Sequence, residues 1–218
     1  MLKNILYTLG SKVGIALLTF INLSITSHVL GAQGRGFISV FIASMSFIIL
    51  INGLVGSSAI VFLTPRTNFY KLLIPSYLWA IFSSILCTWG IMNLPNLINP
   101  LIENPLYQLP IISSEYLWGL GIFALLGSLT EFNMMVALGK EKIGQYNLIA
   151  FIQIGLLTSS LIIFLLLIGN NNIHGFMQTM YVTYIFTFLA SFYILFKQEE
   201  RICLLYTSDA ADDSFRVY

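Results

Sequence analysis

The chain has 218 residues, of which 57% are hydrophobic and only 9% are charged. Because an average soluble domain is about one quarter charged, this much apolar surface points to a lipid environment rather than to a water-soluble core. The formal net charge of +1 gives no basis for nucleic-acid binding, and the widely separated Cys87 and Cys203 indicate neither a disulfide framework nor a metal site.

Six apolar stretches are each long enough to cross the hydrocarbon core of a bilayer, which takes about 20 helical residues. The pattern therefore predicts an all-α integral membrane protein. Short breaks with turn residues separate most of the stretches, so we expect consecutive helices to be antiparallel neighbours. The predicted helices cover residues 5–30, 37–64, 71–94, 116–138, 146–169 and 176–197.

The break at 95–115 differs from the others because it is long and contains four of the chain's six prolines. A proline every five residues excludes a continuous helix. The residues between these prolines are apolar, so we expect the segment to lie along the membrane surface. They include Leu97, Ile98, Leu101 and Ile102.

Basic residues concentrate in every second break. Seven of them lie on one predicted side of the membrane, and Arg35 alone lies in a break on the other side. Because cytoplasmic loops are enriched in Lys and Arg, we expect both ends of residues 1–202 to face the cytoplasm. The seven residues are Lys3, Arg66, Lys71, Lys140, Lys142, Lys197 and Arg201.

The last sixteen residues differ in composition from the rest and contain all three aspartates of the chain. Residues 203–213 resemble a translated sequencing-library adapter, which encodes the run from Cys203 to Asp212 codon by codon. We therefore expect residues 203–218 to be a non-native tail, and the native reading frame to continue beyond about Ile202.

Charged groups inside predicted membrane helices are candidates for function because burying them in lipid is costly. Lys12 and Glu131 lie at comparable depth, so they either pair across the bundle or line a water-filled cavity that receives a charged ligand. The alternatives are that Lys12 snorkels to the interface and that Glu131 bonds Asn133 or a backbone group. Arg35 either meets a phosphate through its planar guanidinium or is a single exposed charge in a tight turn.

Neutral polar residues form a second set of candidates. We expect Asn22 and Gln153 to hydrogen bond between helices, with ligand binding as the alternative. His28 is either a proton-coupling group or a hydrogen-bonded residue at the outer interface. Asn133 completes the set, and Asn52 is a further neutral polar residue. The sequence contains no catalytic or metal-binding motif, so we expect no enzyme activity, no metal and no cofactor.

Two stretches resemble bacterial polysaccharide flippases. The run LGAQGRGF at 30–37, after a first helix that ends in Ser-His-Val, is similar to their helix-one/helix-two junction. The passage at 126–147, from LGS through Glu131-Phe132 to GKEKIGQYN, is similar to their helix-four/helix-five region. These flippases belong to the multidrug/oligosaccharidyl-lipid/polysaccharide exporter superfamily, and the resemblance covers about residues 1–200.

The resemblance implies a MATE-like transporter fold with two lobes of six or seven helices, of which residues 1–202 would form the N-terminal six-helix lobe. It implies translocation of undecaprenyl-diphosphate-linked oligosaccharide across the bacterial cytoplasmic membrane, without ATP hydrolysis, for surface polysaccharides such as O-antigen. The implied partners are this lipid-linked oligosaccharide, membrane lipid, a second lobe of the same chain, and polysaccharide polymerase machinery. The chain departs from this picture in having few cavity charges for a diphosphate.

Two other functional classes remain open at the level of sequence. A cation-coupled multidrug exporter of the same superfamily would need buried acidic residues, and only Glu131 fits. A polytopic polysaccharide polymerase or acyltransferase would need basic residues in a large outer loop, whereas residues 95–115 contain no Lys or Arg.

Overall fold

The computed structural model describes residues 2–67, 69–101, 112 and 114–213. Within these residues the chain is helical apart from short turns, and it has five helices long and apolar enough to cross a membrane. The helices are α1 (Leu2–Leu63), α2 (Phe69–Ile98), α3 (Ser114–Gly139), α4 (Ile143–Leu161) and α5 (Ile173–Asp213). A single 3₁₀ turn (Asn99–Leu101) follows α2, and a π-helical segment (Ile162–Leu167) extends α4.

Helix α1 is bent at Gly31, whose backbone has φ 65° and ψ −173°. Only glycine adopts this combination readily, so the sequence fixes where the bend falls. In a straight helix Lys12 and Met45 would lie about 50 Å apart. They instead line one cavity, so the first arm (residues 2–30) and the second arm (residues 32–63) fold back on each other.

Neighbouring residues along the helices show that consecutive segments alternate in direction, as the short breaks predict. The first arm runs parallel to α4, the second arm is parallel to α3, α3 is parallel to α5, and α2 is antiparallel to α3. The pairs that show this are Thr8–Asn147 and Gly14–Phe151 for the first arm and α4, and Asn52–Ser128 and Thr64–Gly139 for the second arm and α3. For α3 and α5 they are Gly119–Tyr181 and Asn133–Ser191, and for α2 and α3 they are Tyr77–Asn133 and Thr88–Gly121.

The predicted helix boundaries mostly agree with the structure to within a few residues, and the corrections concern the break at 31–36, the end of α2 and the end of α5. The break expected at 31–36 shrinks to Gly31 alone, because the residues after it are helical. Helix α2 continues past Pro95, so the irregular part of the proline-rich segment starts later than predicted. Leu97 and Leu101 are 70% and 80% exposed, while residues 102–111, including Ile102, lie outside the described residues.

Helix α5 continues through the expected tail as far as Asp213, and residues 214–218 lie outside the described part of the chain. The non-native origin of residues 203–218 stays a prediction.

The apolar core lies between the second arm, α3, α5 and the end of α4. Large apolar side chains that face away from it are exposed, as expected of surfaces that meet lipid tails. The largest fully buried core residues include Ile38, Phe41, Ile48, Leu120, Phe123, Leu161, Leu165 and Phe176.

Buried polar side chains tie the helices together within this apolar surrounding. Asn52 of the second arm donates to Ser84 at 3.2 Å and to Ser128, and it accepts a hydrogen bond from Ser83. One amide therefore joins the second arm, α2 and α3. Because lipid offers no competing hydrogen bonds, such a tie satisfies groups that would otherwise be costly to bury.

Candidate functional site

A cavity of about 760 Å³ lies between the two arms of α1, α4 and α5, and we call it the polar cavity. It contains four of the residues that the sequence singles out, which are Lys12, Asn22, Arg35 and Gln153. Most of its wall is aliphatic, so these polar groups lie in low-dielectric surroundings. The other polar side chains that line it are Thr19, Thr26, Thr183 and Tyr184.

The first arm supplies a polar stripe to the cavity. Lys12, Thr19, Asn22 and Thr26 follow one another at helical spacing, so they lie on one face of the arm. At a rise of 1.5 Å per residue the stripe from Lys12 to Thr26 is about 21 Å long. The cavity is thus elongated along the helix direction, with Lys12 towards one end.

Arg35 marks the other end of the stripe. Its Nη1 atom donates a hydrogen bond to Thr26 Oγ1 at 3.1 Å, across the bend in α1. The Thr26 hydroxyl in turn donates to the carbonyl oxygen of Asn22 at 2.8 Å. Arg35 is half-buried and helical rather than a lone exposed charge in a turn.

Asn22 is the least satisfied polar group of the cavity. Its side chain is 6% exposed, and neither its amide nitrogen nor its amide oxygen has a hydrogen-bond partner among the described residues. The expectation that Asn22 bonds between helices is therefore not met. Gln153 does meet that expectation, because its side chain hydrogen bonds the hydroxyl of Tyr184 and so links α4 to α5.

Lys12 is exposed, and its Nζ atom lies 5.8 Å from the centre of the Tyr146 ring. In the part of the chain that the structure describes, no ion pair joins Lys12 to Glu131. Of the arrangements that the sequence leaves open for Lys12, the ion pair with Glu131 is not found, and the exposed Lys12 side chain lines the polar cavity.

Glu131 lies apart from the polar cavity. Its carboxylate is half-buried beside Gly53 of the second arm, where Oε1 would lie 3.8 Å from a Cβ atom built on that glycine. The three strongest candidates thus separate into Lys12 and Arg35, which share the cavity, and Glu131, which sits between α1 and α3.

Asn133 has a structural position rather than a ligand-facing one. Its side chain is fully buried, accepts a hydrogen bond from the Tyr77 hydroxyl at 2.6 Å and donates to Ser191 Oγ at 2.9 Å. Both hydrogen-bonding groups of the amide are therefore used in joining α2, α3 and α5. The bond between Asn133 and Glu131, one of the alternatives for Glu131, is therefore not found.

The end of the bundle near the bend carries a polar cluster that the sequence does not predict. His174 Nε2 lies 3.4 Å from both a Glu115 carboxylate oxygen and the Tyr116 hydroxyl. These residues begin α5 and α3, and the predicted topology already places both helix starts at one end. His28 is exposed at this end and is not among the residues that line the cavity.

The opposite end carries the basic residues expected to be cytoplasmic. Lys140 and Lys142 lie at the turn between α3 and α4, and Arg66 lies after α1 over the Phe62 ring at 4.0 Å. Burial lowers the pKa of the Lys140 and Lys142 amines, and the charge of Lys142 further lowers the pKa of Lys140. Lys3 and Arg201 are placed only by their helical backbone.

A second, smaller cavity of about 410 Å³ lies between α2 and α3. Its wall is almost wholly apolar and includes Trp89, Trp118 and Thr88. None of the residues predicted from the sequence lines it.

The described helices are long and apolar enough to cross a membrane several times, as in helical multi-pass membrane proteins. No known protein family, curated protein or solved structure matches the chain. The resemblance to polysaccharide flippases thus stays a prediction from the residues quoted above. No group of three His, Cys, Asp or Glu side chains is placed to hold a metal ion within the described residues.

Proposed function

We propose that the chain is a lobe of a membrane transporter that translocates a lipid-linked anionic oligosaccharide from the cytoplasmic to the outer leaflet. The observation that carries this proposal is the polar cavity, an elongated space with Lys12 towards one end and Arg35 at the other. The resemblance to polysaccharide flippases supplies the chemical identity of the ligand, an oligosaccharide joined to undecaprenol through a diphosphate.

The charges of the cavity favour an anion. Lys12 and Arg35 are its two charged lining residues, and both are cationic. In a mostly aliphatic surrounding, a cation interacts with a phosphate more strongly than it would in water. Glu131, the acidic group that a cation exporter would require, lies outside the cavity, so the anion transporter is the better supported of the two.

The length of the cavity bears on the mechanism. The stripe from Lys12 to Thr26, the residue that holds Arg35, is about 21 Å long, which is several times the span of a diphosphate. One diphosphate therefore does not reach both cations at once. Under this proposal the anion meets Lys12 on the cytoplasmic side and Arg35 near the outer side in succession.

The proposed topology has six crossings, with the two arms of α1 as the first two. Both ends of residues 1–202 then face the cytoplasm of a bacterial inner membrane, in agreement with the positive-inside rule. A second lobe, as the resemblance implies, would close the cavity and rock against this one to alternate access. Under this proposal Glu131 is a coupling group rather than a ligand of the oligosaccharide.

The proposal is tested by reconstituting the complete transporter, with this lobe joined to the second lobe that the proposal requires, into liposomes with a fluorescent undecaprenyl-diphosphate oligosaccharide and following its transfer between leaflets. We expect Lys12→Gln and Arg35→Gln each to slow transfer. Arg66→Gln is the matched control, because Arg66 is basic but lies outside the cavity against Phe62. Transfer no faster than in protein-free liposomes, or wild-type rates in both cavity variants, would refute the proposal.

A further inference from the structure

The unpaired amide of Asn22 needs a physical explanation. A buried amide without hydrogen bonds costs about 1–3 kcal/mol by mutational measures, so native proteins rarely leave one unsatisfied. Asn22 is 6% exposed, lines the polar cavity, and lacks a partner for both its nitrogen and its oxygen among the described residues.

The other polar groups nearby are already engaged. The Thr26 hydroxyl contacts Arg35 and the Asn22 carbonyl oxygen, and the Thr19 hydroxyl donates to the carbonyl oxygen of Ile15 at 2.8 Å. Gln153 hydrogen bonds Tyr184. The Asn22 amide, unlike these neighbouring polar groups, is therefore available to hydrogen bond a ligand in the polar cavity.

The position of Asn22 relative to Arg35 limits the chemical class of that ligand. Asn22 precedes Thr26 by one helical turn, a rise of about 6 Å, and Thr26 holds the guanidinium of Arg35. Lys12 lies about 15 Å away along the arm. A ligand group bound to the amide thus sits close to an anion on Arg35 and far from an anion on Lys12.

We infer that Asn22 and Arg35 form one subsite, which takes a phosphate-type anion on Arg35 and a neighbouring hydroxyl or amide of the same ligand on Asn22. The ligand class is a phosphate ester of a sugar or another polyol, either free or carried by a lipid. The inference rests on the proposed function in treating the polar cavity as a ligand site. It adds that Asn22 selects ligands by the neutral group beside the phosphate.

Matched lipids test the selection directly. The full chain in nanodiscs is titrated with phosphatidylglycerol, whose headgroup has two hydroxyls beside the phosphate, and with phosphatidylmethanol, which has the same charge and no hydroxyl. We expect a preference of about fivefold to tenfold for phosphatidylglycerol, the size of one hydrogen-bonded contact. Asn22→Leu should remove this preference, while Arg35→Gln should weaken binding of both lipids.

Matched soluble ligands show whether the lipid is needed. Calorimetric titration compares glycerol 1-phosphate with methyl phosphate on the same protein. Preference for glycerol 1-phosphate identifies the phosphate ester itself as the recognised group, whereas preference seen only with the lipids shows that the acyl chains supply the affinity. Either result supports the subsite if Asn22→Leu abolishes the preference.

Stability separates a ligand contact from a structural role. Because the side-chain amide of Asn22 bonds nothing among the described residues, Asn22→Leu should fold and melt at or above the wild-type temperature without ligand. Asn22→Gln keeps a donor and an acceptor and should retain part of the selection. Asn93→Leu is the control, since Asn93 is an exposed amide that bonds its own helix at Trp89.

The possible failures are distinct. Equal binding of the matched ligands by the wild type, or an unchanged preference in Asn22→Leu, overturns the subsite while leaving an anion-binding cavity intact. A marked loss of melting temperature in Asn22→Leu also overturns it, in favour of a structural tie. Absence of any Arg35-dependent anion binding overturns the subsite and the proposed function together.

Discussion

Arg35 and Thr26 are hydrogen bonded across the bend of α1, with Nη1 of the arginine 3.1 Å from Oγ1 of the threonine. The contact fixes the guanidinium at the end of the polar cavity where the two arms meet. Because the Thr26 hydroxyl also donates to the Asn22 carbonyl oxygen, its acceptor side is turned towards the arginine. The bend and the cationic end of the cavity are therefore one structural unit.

Gly31 is the first target for a test of this unit. Its φ of 65° and ψ of −173° are nearly restricted to glycine, so Gly31→Ala should destabilise the folded chain by about 1–3 kcal/mol. Gly36→Ala is the matched control, because Gly36 is helical and has open space where a Cβ would go. Thermal unfolding in detergent measures both. Equal melting temperatures for the two variants would contradict a bend that depends on Gly31.

The hydrogen bond between Arg35 and Thr26 gives a second prediction. Thr26→Val keeps the shape of the side chain but removes the hydroxyl that holds the guanidinium. We expect it to weaken anion binding less than Arg35→Gln does, because the charge remains in the cavity. Calorimetric titration with glycerol 1-phosphate measures both variants. If Thr26→Val weakens binding as much as Arg35→Gln, the charge alone does not account for the affinity.

The sequence was sufficient to predict the elements whose signal is local. The lengths of the apolar stretches predict the helices and their approximate boundaries, and the short breaks between them predict that consecutive helices alternate in direction. The end of α2 differs from the prediction because the proline content of the segment favours an irregular structure. Pro95 lacks an N–H for the helical ladder but is accommodated within α2 nonetheless.

The candidate site was less accessible from sequence because it depends on which helix faces meet. Lys12, Asn22, Arg35 and Gln153 were chosen as polar residues in apolar surroundings, and the fold brings all four to one cavity. The sequence does not predict which side chains these residues contact, because those contacts depend on how the helices pack. The similar depths of Lys12 and Glu131 allow an ion pair as one alternative, yet Glu131 lies beside Gly53 and outside the polar cavity.

Asn133 provides a test of the helix ties. Asn133→Ala removes two hydrogen bonds, leaving the Tyr77 hydroxyl without this acceptor and Ser191 Oγ with its bond to the Phe188 carbonyl oxygen. We expect a loss of about 1–3 kcal/mol of unfolding free energy. A double-mutant cycle with Tyr77→Phe should be non-additive by about 0.6 kcal/mol, the average for such membrane contacts. Additive effects of the two substitutions would show that the contact contributes no coupling energy.

The proposed orientation is tested by labelling single cysteines from one side of the membrane. In a background with Cys87 and Cys203 replaced by serine, Thr67→Cys and Glu141→Cys should react only from the cytoplasmic side. Asn171→Cys should react only from outside, because its turn lies at the opposite end of the bundle. A membrane-impermeant maleimide applied to intact cells and to inverted vesicles distinguishes the two. Labelling of all three positions from one side would contradict the six-crossing topology.

Glu131 gives a prediction that separates coupling from ligand binding. Its half-buried carboxylate lies between α1 and α3, and no ion pair holds it within the described residues, so it is available to a proton or cation during transport. We expect Glu131→Gln to lower lipid-linked oligosaccharide transfer while leaving the affinity for glycerol 1-phosphate unchanged, since Glu131 does not line the polar cavity.

The matched control is Glu115→Gln, which removes an exposed carboxylate that pairs with His174 near the bend of α1. This change should leave both transfer and affinity close to wild type, because an exposed polar contact of this kind contributes little. Transfer at the wild-type rate in Glu131→Gln, at equal protein level, would remove Glu131 from the mechanism. A fall in affinity together with transfer would instead place the carboxylate in ligand binding, and the separation between the cavity and Glu131 would then have to close during the transport cycle.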